Sequence, residues 1–249
     1  MTVLLFLPRA VLLIIWLLLG LLLVSAVFPY CTPAARSAIT RRWSRVLLFF
    51  CGVRVEVSGQ PIPHGPALWV ANHVSWIDIF VINSVRPTSF IAKSEIRHWP
   101  VIGWLVSGSG TVFIERGHRH AVREVGQQMK ARFERGEIVG LFPEGTTSPG
   151  YDVAPFHSSL FDPAIRVNVD IQPLALRFFH RGQRSDYVAF VGEQTLLRNM
   201  WRLLGTTGVS IELEFLAVMS GDYCAQHGRN KVSAHAHHVI RQAIVRRPH

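Results

Sequence analysis

Seven residues, Asn72-His73-Val74-Ser75-Trp76-Ile77-Asp78, have the types and spacing for proton transfer. A histidine titrates near neutrality, and a carboxylate that holds one ring nitrogen leaves the other to act as a base. The run Ala67-Leu68-Trp69-Val70-Ala71 before them predicts a buried strand. The run Ile79-Phe80-Val81-Ile82 after them predicts the buried side of a helix. Residues five apart in a regular helix point about 140° away from each other. His73 and Asp78 can therefore meet only if His73 lies in the turn before the helix and Asp78 in its first turn. A competing reading makes Ser75 the helix cap, Asp78 a first-turn acid and His73 an ordinary loop residue.

Two further stretches carry candidate chemistry. Gly110-Thr111-Val112-Phe113-Ile114-Glu115-Arg116 sets an arginine just past a predicted strand, where its guanidinium can fork onto a phosphate or simply stay in solvent. Phe142-Pro143-Glu144-Gly145-Thr146-Thr147-Ser148 ends a buried strand on a proline, an acid, a glycine and three hydroxyl residues. Gly145 lets a ligand approach the backbone, and its amide could face an oxyanion. The alternative is a plain turn with Glu144 in solvent.

Positioning these turns takes an alternation of strands and helices from residue 53 onward. Val53–Val57 alternates with period two, and Thr88–Ala92, Thr111–Ile114, Ile138–Phe142 and Ile171–Leu176 also read as strands. Tyr187–Val191 and Ile211–Phe215 read as edge-like strands. Ala121–Arg135 predicts a helix with Val122, Val125, Met129 and Phe133 inward. Trp99–Trp104 predicts a short helix at a pocket wall, and Val232–Val245 a closing helix. The fold class is α/β, a mixed, largely parallel sheet flanked by helices, with ligands bound beyond the carboxyl ends of the strands.

Ahead of this domain lies the uncharged run Ala10–Phe28, long enough to cross or deeply enter a bilayer, which takes about 20 residues. It exceeds a signal-peptide core, and no Ala-x-Ala site closes it before Pro29. Ser37–Phe50 predicts a second helix, with Ile39, Trp43, Val46, Leu47 and Phe50 on one stripe and Ser37, Thr40, Arg41, Ser44 and Arg45 on the other. Such a helix suits a membrane interface or packing on its own domain. Arg36, Arg41, Arg42 and Arg45 follow the apolar run and only Arg9 precedes it, which places the bulk of the chain on the cytoplasmic side. A full span and a re-entrant pair both fit. The division is a membrane-associated helical pair over 1–52 and an α/β domain over 53–249.

Composition narrows the partners. At 249 residues, 49% hydrophobic and 17% charged, the chain can bury a large core and is not disordered. Its net charge of +10 favours anionic lipid or phosphorylated substrates. No zinc-finger, basic-zipper or RNA-binding signature points to nucleic acid. Cys31, Cys51 and Cys224 are odd in number and widely spaced, so neither a disulfide framework nor a metal site is expected. His235, His237 and His238 sit on a polar segment with no acid or cysteine beside them and read as solvated surface.

In series, the motifs resemble the glycerolipid acyltransferase family, in particular its bacterial 1-acyl-glycerol-3-phosphate acyltransferases. The matching residues are Asn72-His73-x4-Asp78, Gly110-x-x-Phe113-Ile114-x-Arg116, Phe142-Pro143-Glu144-Gly145-Thr146-x-Ser148 and the strand holding Pro173. They come in family order and spacing, over residues 40–215. Lys93 resembles the family's basic residue after the first helix. Pro155–Phe161 resembles its segment after the third motif, with His157 and Ser159 where many relatives carry lysine or glycine.

The resemblance implies acyl transfer from a thioester, acyl-ACP (acyl carrier protein) or acyl-CoA (coenzyme A), to the sn-2 hydroxyl of 1-acyl-glycerol-3-phosphate, making phosphatidate. Another lysolipid, such as lyso-ornithine lipid, is the alternative acceptor. A membrane-anchored thioester hydrolase and a non-enzymatic lipid-binding module are rival classes. The resemblance also implies His73 as base and Asp78 as its orienting acid. Lys93 and Arg116 would hold the phosphate, Glu144 a glycerol hydroxyl or the arginine, and Gly145 and Thr146 would line the substrate loop. No metal and no bound cofactor are expected. No Gly-x-Ser-x-Gly elbow is present to suggest an acyl-serine, so direct transfer is expected. The implied location is the bacterial inner membrane, with the active site facing the cytoplasm.

Overall fold

The computed structural model describes residues 2–98, 103–104, 111–114 and 121–246. It opens on two helices, α1 (Thr2–Leu22) and α2 (Pro33–Phe50). The stretch Val3–Tyr30, which holds an 18-residue window of mean hydropathy 3.0, is long and apolar enough to cross a membrane. Thr32 starts α2 by accepting the Ala35 N–H (3.2 Å), and Pro33 fills a first-turn position that needs no N–H. The two helices form a hairpin. The Trp16 and Trp43 indoles stack at 6.2 Å and each donates to the other residue's carbonyl. Gly20 leaves only enough room for the Trp43 ring, because a Cβ there would sit 2.9 Å from it.

The sheet domain follows as β1 (Val53–Gly59), β2 (Ala67–Ala71), α3 (Asp78–Asn83), β3 (Thr88–Lys93), β4 (Val112–Ile114) and α4 (Ala121–Glu134). It continues with β5 (Ile138–Leu141), α5 (Asp162–Arg166), β6 (Ile171–His180), β7 (Gln183–Arg184), α6 (Leu196–Leu204), β8 (Val209–Phe215) and α7 (Gly221–Val245). Among the described residues the strand order is β1-β8-β6-β2-β5-β3-β4, with β7 beside β6. From β6 to β4 all neighbours are parallel. β8 runs against β6, and β1 runs with β8. The sheet is thus mixed and largely parallel, and the carboxyl ends of β6, β2, β5, β3 and β4 share one edge.

β2 is buried on both faces, which is why it reads as a continuous apolar run. Ala67, Trp69 and Ala71 face one core with Leu47 and Leu48 of α2, Val81 and Ile82 of α3 and Leu203 of α6. Leu68 and Val70 face the other with Val125 and Met129 of α4 and Val232, Ala236 and Ile240 of α7. The N-terminal hairpin is part of the first core: Leu13 is buried there, and Arg9 donates to the carbonyls of Leu204 (3.1 Å) and Thr206 (2.5 Å).

The structure corrects several expectations. Ser44, assigned to the polar stripe of α2, is buried, while Phe49 is exposed, because α2 packs on α3 as well as on α1. Tyr187–Val191 is not a strand. The Val188 and Ala189 carbonyls accept from the Asn199 side chain and the Phe190 N–H donates to Val74, which leaves no ladder to form. β8 is not an edge, since β1 pairs along its outer side from 156 residues earlier in the chain (Val53 beside Val209). The closing helix begins at Gly221, with a break at Gly228 (φ +70°) before its expected part. Most of the predicted helix Trp99–Trp104 lies outside the described residues, as do Gly110, Glu115 and Arg116. Of the C-terminal histidines, His235 and His238 are exposed. His237 is half-buried, with Nε2 3.1 Å from the Val153 carbonyl oxygen.

Candidate active site

At the end of β2 the chain passes from a buried strand into a turn that cannot use ladder bonds. Asn72 replaces them with its side chain. Its Oδ1 accepts the Leu176 N–H (2.8 Å) and its Nδ2 donates to the Leu176 carbonyl (3.0 Å), tying the turn to β6. Each such bond contributes about 0.5–1.5 kcal/mol, and a lost one leaves a fully buried amide unpaired.

His73 then lies in the turn and Asp78 opens α3, the one arrangement in which the two can meet. The His73 Nδ1 is 2.8 Å from Asp78 Oδ2. The same oxygen accepts the backbone N–H groups of Val74 (2.7 Å) and Ser75 (3.0 Å). Asp78 is fully buried, and its ring partner is 21% exposed. With the carboxylate accepting on that side, Nδ1 carries the ring proton and Nε2 carries the lone pair. The ring stacks on Phe142 (centroids 4.1 Å apart, 14° between planes), which in turn stacks on Phe90. Of the capping alternative, Asp78 is a first-turn acid as expected, but Ser75 is not the cap. The residue before α3 is Ile77 with no side-chain cap, and the buried Ser75 hydroxyl has no partner among the described residues.

β5 lies beside β2, so the Phe142–Ser148 loop lands on the His73 turn. Glu144 is 5% exposed and points inward. Its Oε1 accepts the His73 N–H (2.7 Å) and its Oε2 the Ala154 N–H (2.9 Å). Burial pushes this carboxyl above the ordinary glutamate range, and the two amide bonds pull it down. Glu144 is thus a brace for the His73 turn and not the solvent-facing acid of a plain turn. Gly145 adopts φ +72°, a conformation that favours glycine, and its N–H donates to the Phe142 carbonyl (3.1 Å). That amide is engaged in a turn and does not stand open to an oxyanion. Thr146 is exposed on the same loop, Thr147 donates to the Phe190 carbonyl, and the Ser148 N–H donates to the His73 carbonyl (2.8 Å).

The strand order brings the other motifs to the same edge. Lys93 ends β3, the next strand after β5, and pairs with Ile114, the last residue of β4. Arg116 follows two positions later in the sequence and lies outside the described residues. Pro173 pairs with Val70 in the interior of β6 and serves the core.

A protein-family model described as Acyltransferase matches residues 54–177. The lyso-ornithine lipid O-acyltransferase of Pseudomonas aeruginosa is 37% identical over 181 residues, covering 73% of this chain and 69% of that protein. The 1-acyl-sn-glycerol-3-phosphate acyltransferase of Neisseria meningitidis serogroup B is 37% identical over 192 residues, 75% of this chain and 73% of that one. The chain belongs to the acyltransferase family. A crystal structure of the 1-acyl-sn-glycerophosphate acyltransferase from Thermotoga maritima shares the fold, with a TM-score of 0.63 at 21% identity over 83% of this chain and 77% of that chain.

Two residues of this acyltransferase's motifs shape the site in ways the sequence did not show. Phe142 stacks on the His73 ring. Trp76, inside the His-Asp motif, donates from Nε1 to Asn199 Oδ1 (2.9 Å) on α6, a helix that the sequence reading did not assign. Its signals were present: Thr195 as a cap, and Leu196, Met200, Leu203 and Leu204 along one side.

Proposed function

We propose that the enzyme transfers an acyl group from acyl-ACP or acyl-CoA to the sn-2 hydroxyl of 1-acyl-glycerol-3-phosphate. The observation that carries this reading is the His73–Asp78 pair, 2.8 Å apart with Nδ1 held by the acid. An alcohol is a poor nucleophile at neutral pH and needs a base as it attacks. His73 Nε2 takes the hydroxyl proton while the oxygen adds to the thioester carbonyl. The tetrahedral intermediate then collapses, the C–S bond breaks, and the departing thiolate receives the proton from the imidazolium. Asp78 keeps the ring oriented and offsets its transient charge. The reaction requires no bound cofactor or metal. Lys93 and Arg116 hold the acceptor phosphate, an assignment supported by their positions after strands in the sequence and by the Neisseria relative's named activity.

The setting is the bacterial inner membrane, with the site facing the cytoplasm. Support comes from the apolar surface of α1 and from the exposed Arg36, Arg41 and Arg42 of α2. Arg9, near the start of α1, is bonded to the sheet domain, and α2 leads straight into β1. Both ends of the hairpin therefore return to the domain, which favours a pair that dips into one leaflet over a helix that crosses. The equally identical Pseudomonas relative favours a second acceptor, lyso-ornithine lipid.

An acceptor panel with each donor, read by product mass, tests the reading. The expected product is phosphatidate, and Arg116→Ala raises the KM for 1-acyl-glycerol-3-phosphate about 10- to 150-fold, the worth of a charge-assisted bond. Turnover of lyso-ornithine lipid alone would replace the acceptor and leave the acyltransferase chemistry standing. Free fatty acid as the main product would overturn transfer itself.

A further inference from the structure

α6 presents an outer face that a domain in water has no reason to keep. Leu197 is 77% exposed and Trp201, one turn on, is 40% exposed, with Arg198 exposed beside them. The inner face is fully committed: Leu203 and Leu204 are buried, and Asn199 bonds the Val188 and Ala189 carbonyls and the Trp76 indole. The apolar surface does not stop at α6. The Trp201 ring meets Phe6 of α1 (centroids 4.4 Å), and next to Phe6 the exposed side chains Val3, Leu4 and Leu7 continue the patch. Leucine and tryptophan with arginine alongside is the composition of a helix lying in a lipid interface. α6 also sits at the functional edge of the sheet. It runs into β8, whose first residue, Val209, pairs with His180 at the carboxyl end of β6.

We infer that α6 is a second membrane-seating element, whose Leu197–Trp201 face enters the headgroup region of an anionic bilayer. Through Asn199 and Trp76 it fixes the His73 turn at the depth where lysolipid hydroxyls lie. The inference rests on the reading of the hairpin as a leaflet-inserted anchor, and it adds a contact that the hairpin does not need. Continuity with the surface of α1 and the arginines of α6 and α2 select lipid as the occupant. α6 alone is too short to hold the chain on a membrane, so its part is orientation, not anchorage.

The test uses full-length protein diluted from detergent into phosphatidylglycerol-containing vesicles. An environment-sensitive fluorophore is placed on Cys31, near the hairpin tip, or on Leu197→Cys in a Cys31→Ser background. Cys51 and Cys224 are buried and do not compete for the label. Both labels are expected to shift to the blue with vesicles and to be quenched by spin-labelled lipid. Leu197→Glu is expected to raise the lipid concentration for half-maximal turnover of vesicle-borne acceptor about tenfold, the scale of losing one buried leucine. Turnover of a short-chain acceptor dispersed in water stays at the wild-type rate. A Cys31 label that shifts beside a Leu197 label that does not would overturn the inference and leave the anchor reading intact. Two silent labels would overturn both. A Leu197 label already blue-shifted in a lipid-free dimer would assign the face to a second copy of the chain, and would also overturn it.

Discussion

Around His73 every backbone group of three consecutive residues has a partner. The N–H of His73 goes to Glu144 and those of Val74 and Ser75 go to Asp78, while their three carbonyls accept from Ser148, Phe190 and Asp78. The N-terminal hairpin is held differently. α2 is packed into the core through Leu47 and Leu48, whereas α1 reaches the domain through fewer contacts, among them buried Leu13, Arg9 on two carbonyls and Phe6 against Trp201, and much of its leucine surface faces outward. The first region spends its polar groups on fixing one ring nitrogen in space. The second leaves its apolar groups unspent, which suits the membrane association proposed for it. Chemistry and location are thus built from different interactions in one chain, and the two should fail separately.

The largest effect tests the first region. His73→Ala is expected to lower kcat about 10⁴-fold with the fold intact by circular dichroism. Asp78→Asn approaches that loss, because the amide no longer selects the Nδ1–H tautomer. Substantial transfer by a folded His73→Ala enzyme would falsify the base assignment. Neither change should alter the membrane-bound fraction.

A middle-sized effect separates a brace from a ligand. Glu144→Gln keeps one acceptor oxygen but turns an NH₂ group toward a backbone N–H. The expected cost is about 1–3 kcal/mol of stability and about 10- to 100-fold in kcat, from misplacement of His73. The acceptor KM should barely change. If KM rises and kcat holds, Glu144 contacts substrate after all. The pH dependence is a separate check. Because burial raises the folded pKa of Glu144, its contribution to stability is full below the ordinary value of about 4.3 and is lost as pH rises through the raised value. The Tm gap between wild type and Glu144→Gln is therefore expected to be wide at pH 4 and narrower at pH 8.

The smallest effect belongs to the second region. Washing membranes at about 1 M salt, where charge interactions are screened beyond about 3 Å, should release almost no full-length protein. Release by salt alone would mean that arginines rather than the apolar helix hold the chain on the bilayer.

Much of this molecule is legible in its sequence. The period-two and continuous apolar runs locate β1, β2, β3, β5 and β6, because burial on one or both faces of a sheet dictates residue type directly. Helix geometry sets the condition for the His73–Asp78 contact, since a five-residue separation admits only the turn-plus-first-turn arrangement, and the structure meets it. Where sequence reasoning failed, the deciding partner lay far along the chain. Tyr187–Val191 has the composition of a strand, yet Asn199 and Val74 take its backbone groups. Glu144 has the look of a ligand-binding acid, yet two amides 71 and 10 residues away claim its oxygens.

The sequence by itself determined that β2, β5 and β6 are buried, that a histidine and an acid five residues apart could share a proton, and which segment is apolar enough to enter a bilayer. These depend on side-chain chemistry and local periodicity. Only the tertiary structure decided that β1 covers β8, that Arg9 ties an apolar helix back to the sheet, that Glu144 braces the His73 turn and that α6 turns Leu197 and Trp201 outward. Each of these depends on which distant group fills a hydrogen-bonding or packing vacancy, and local sequence carries no record of that choice.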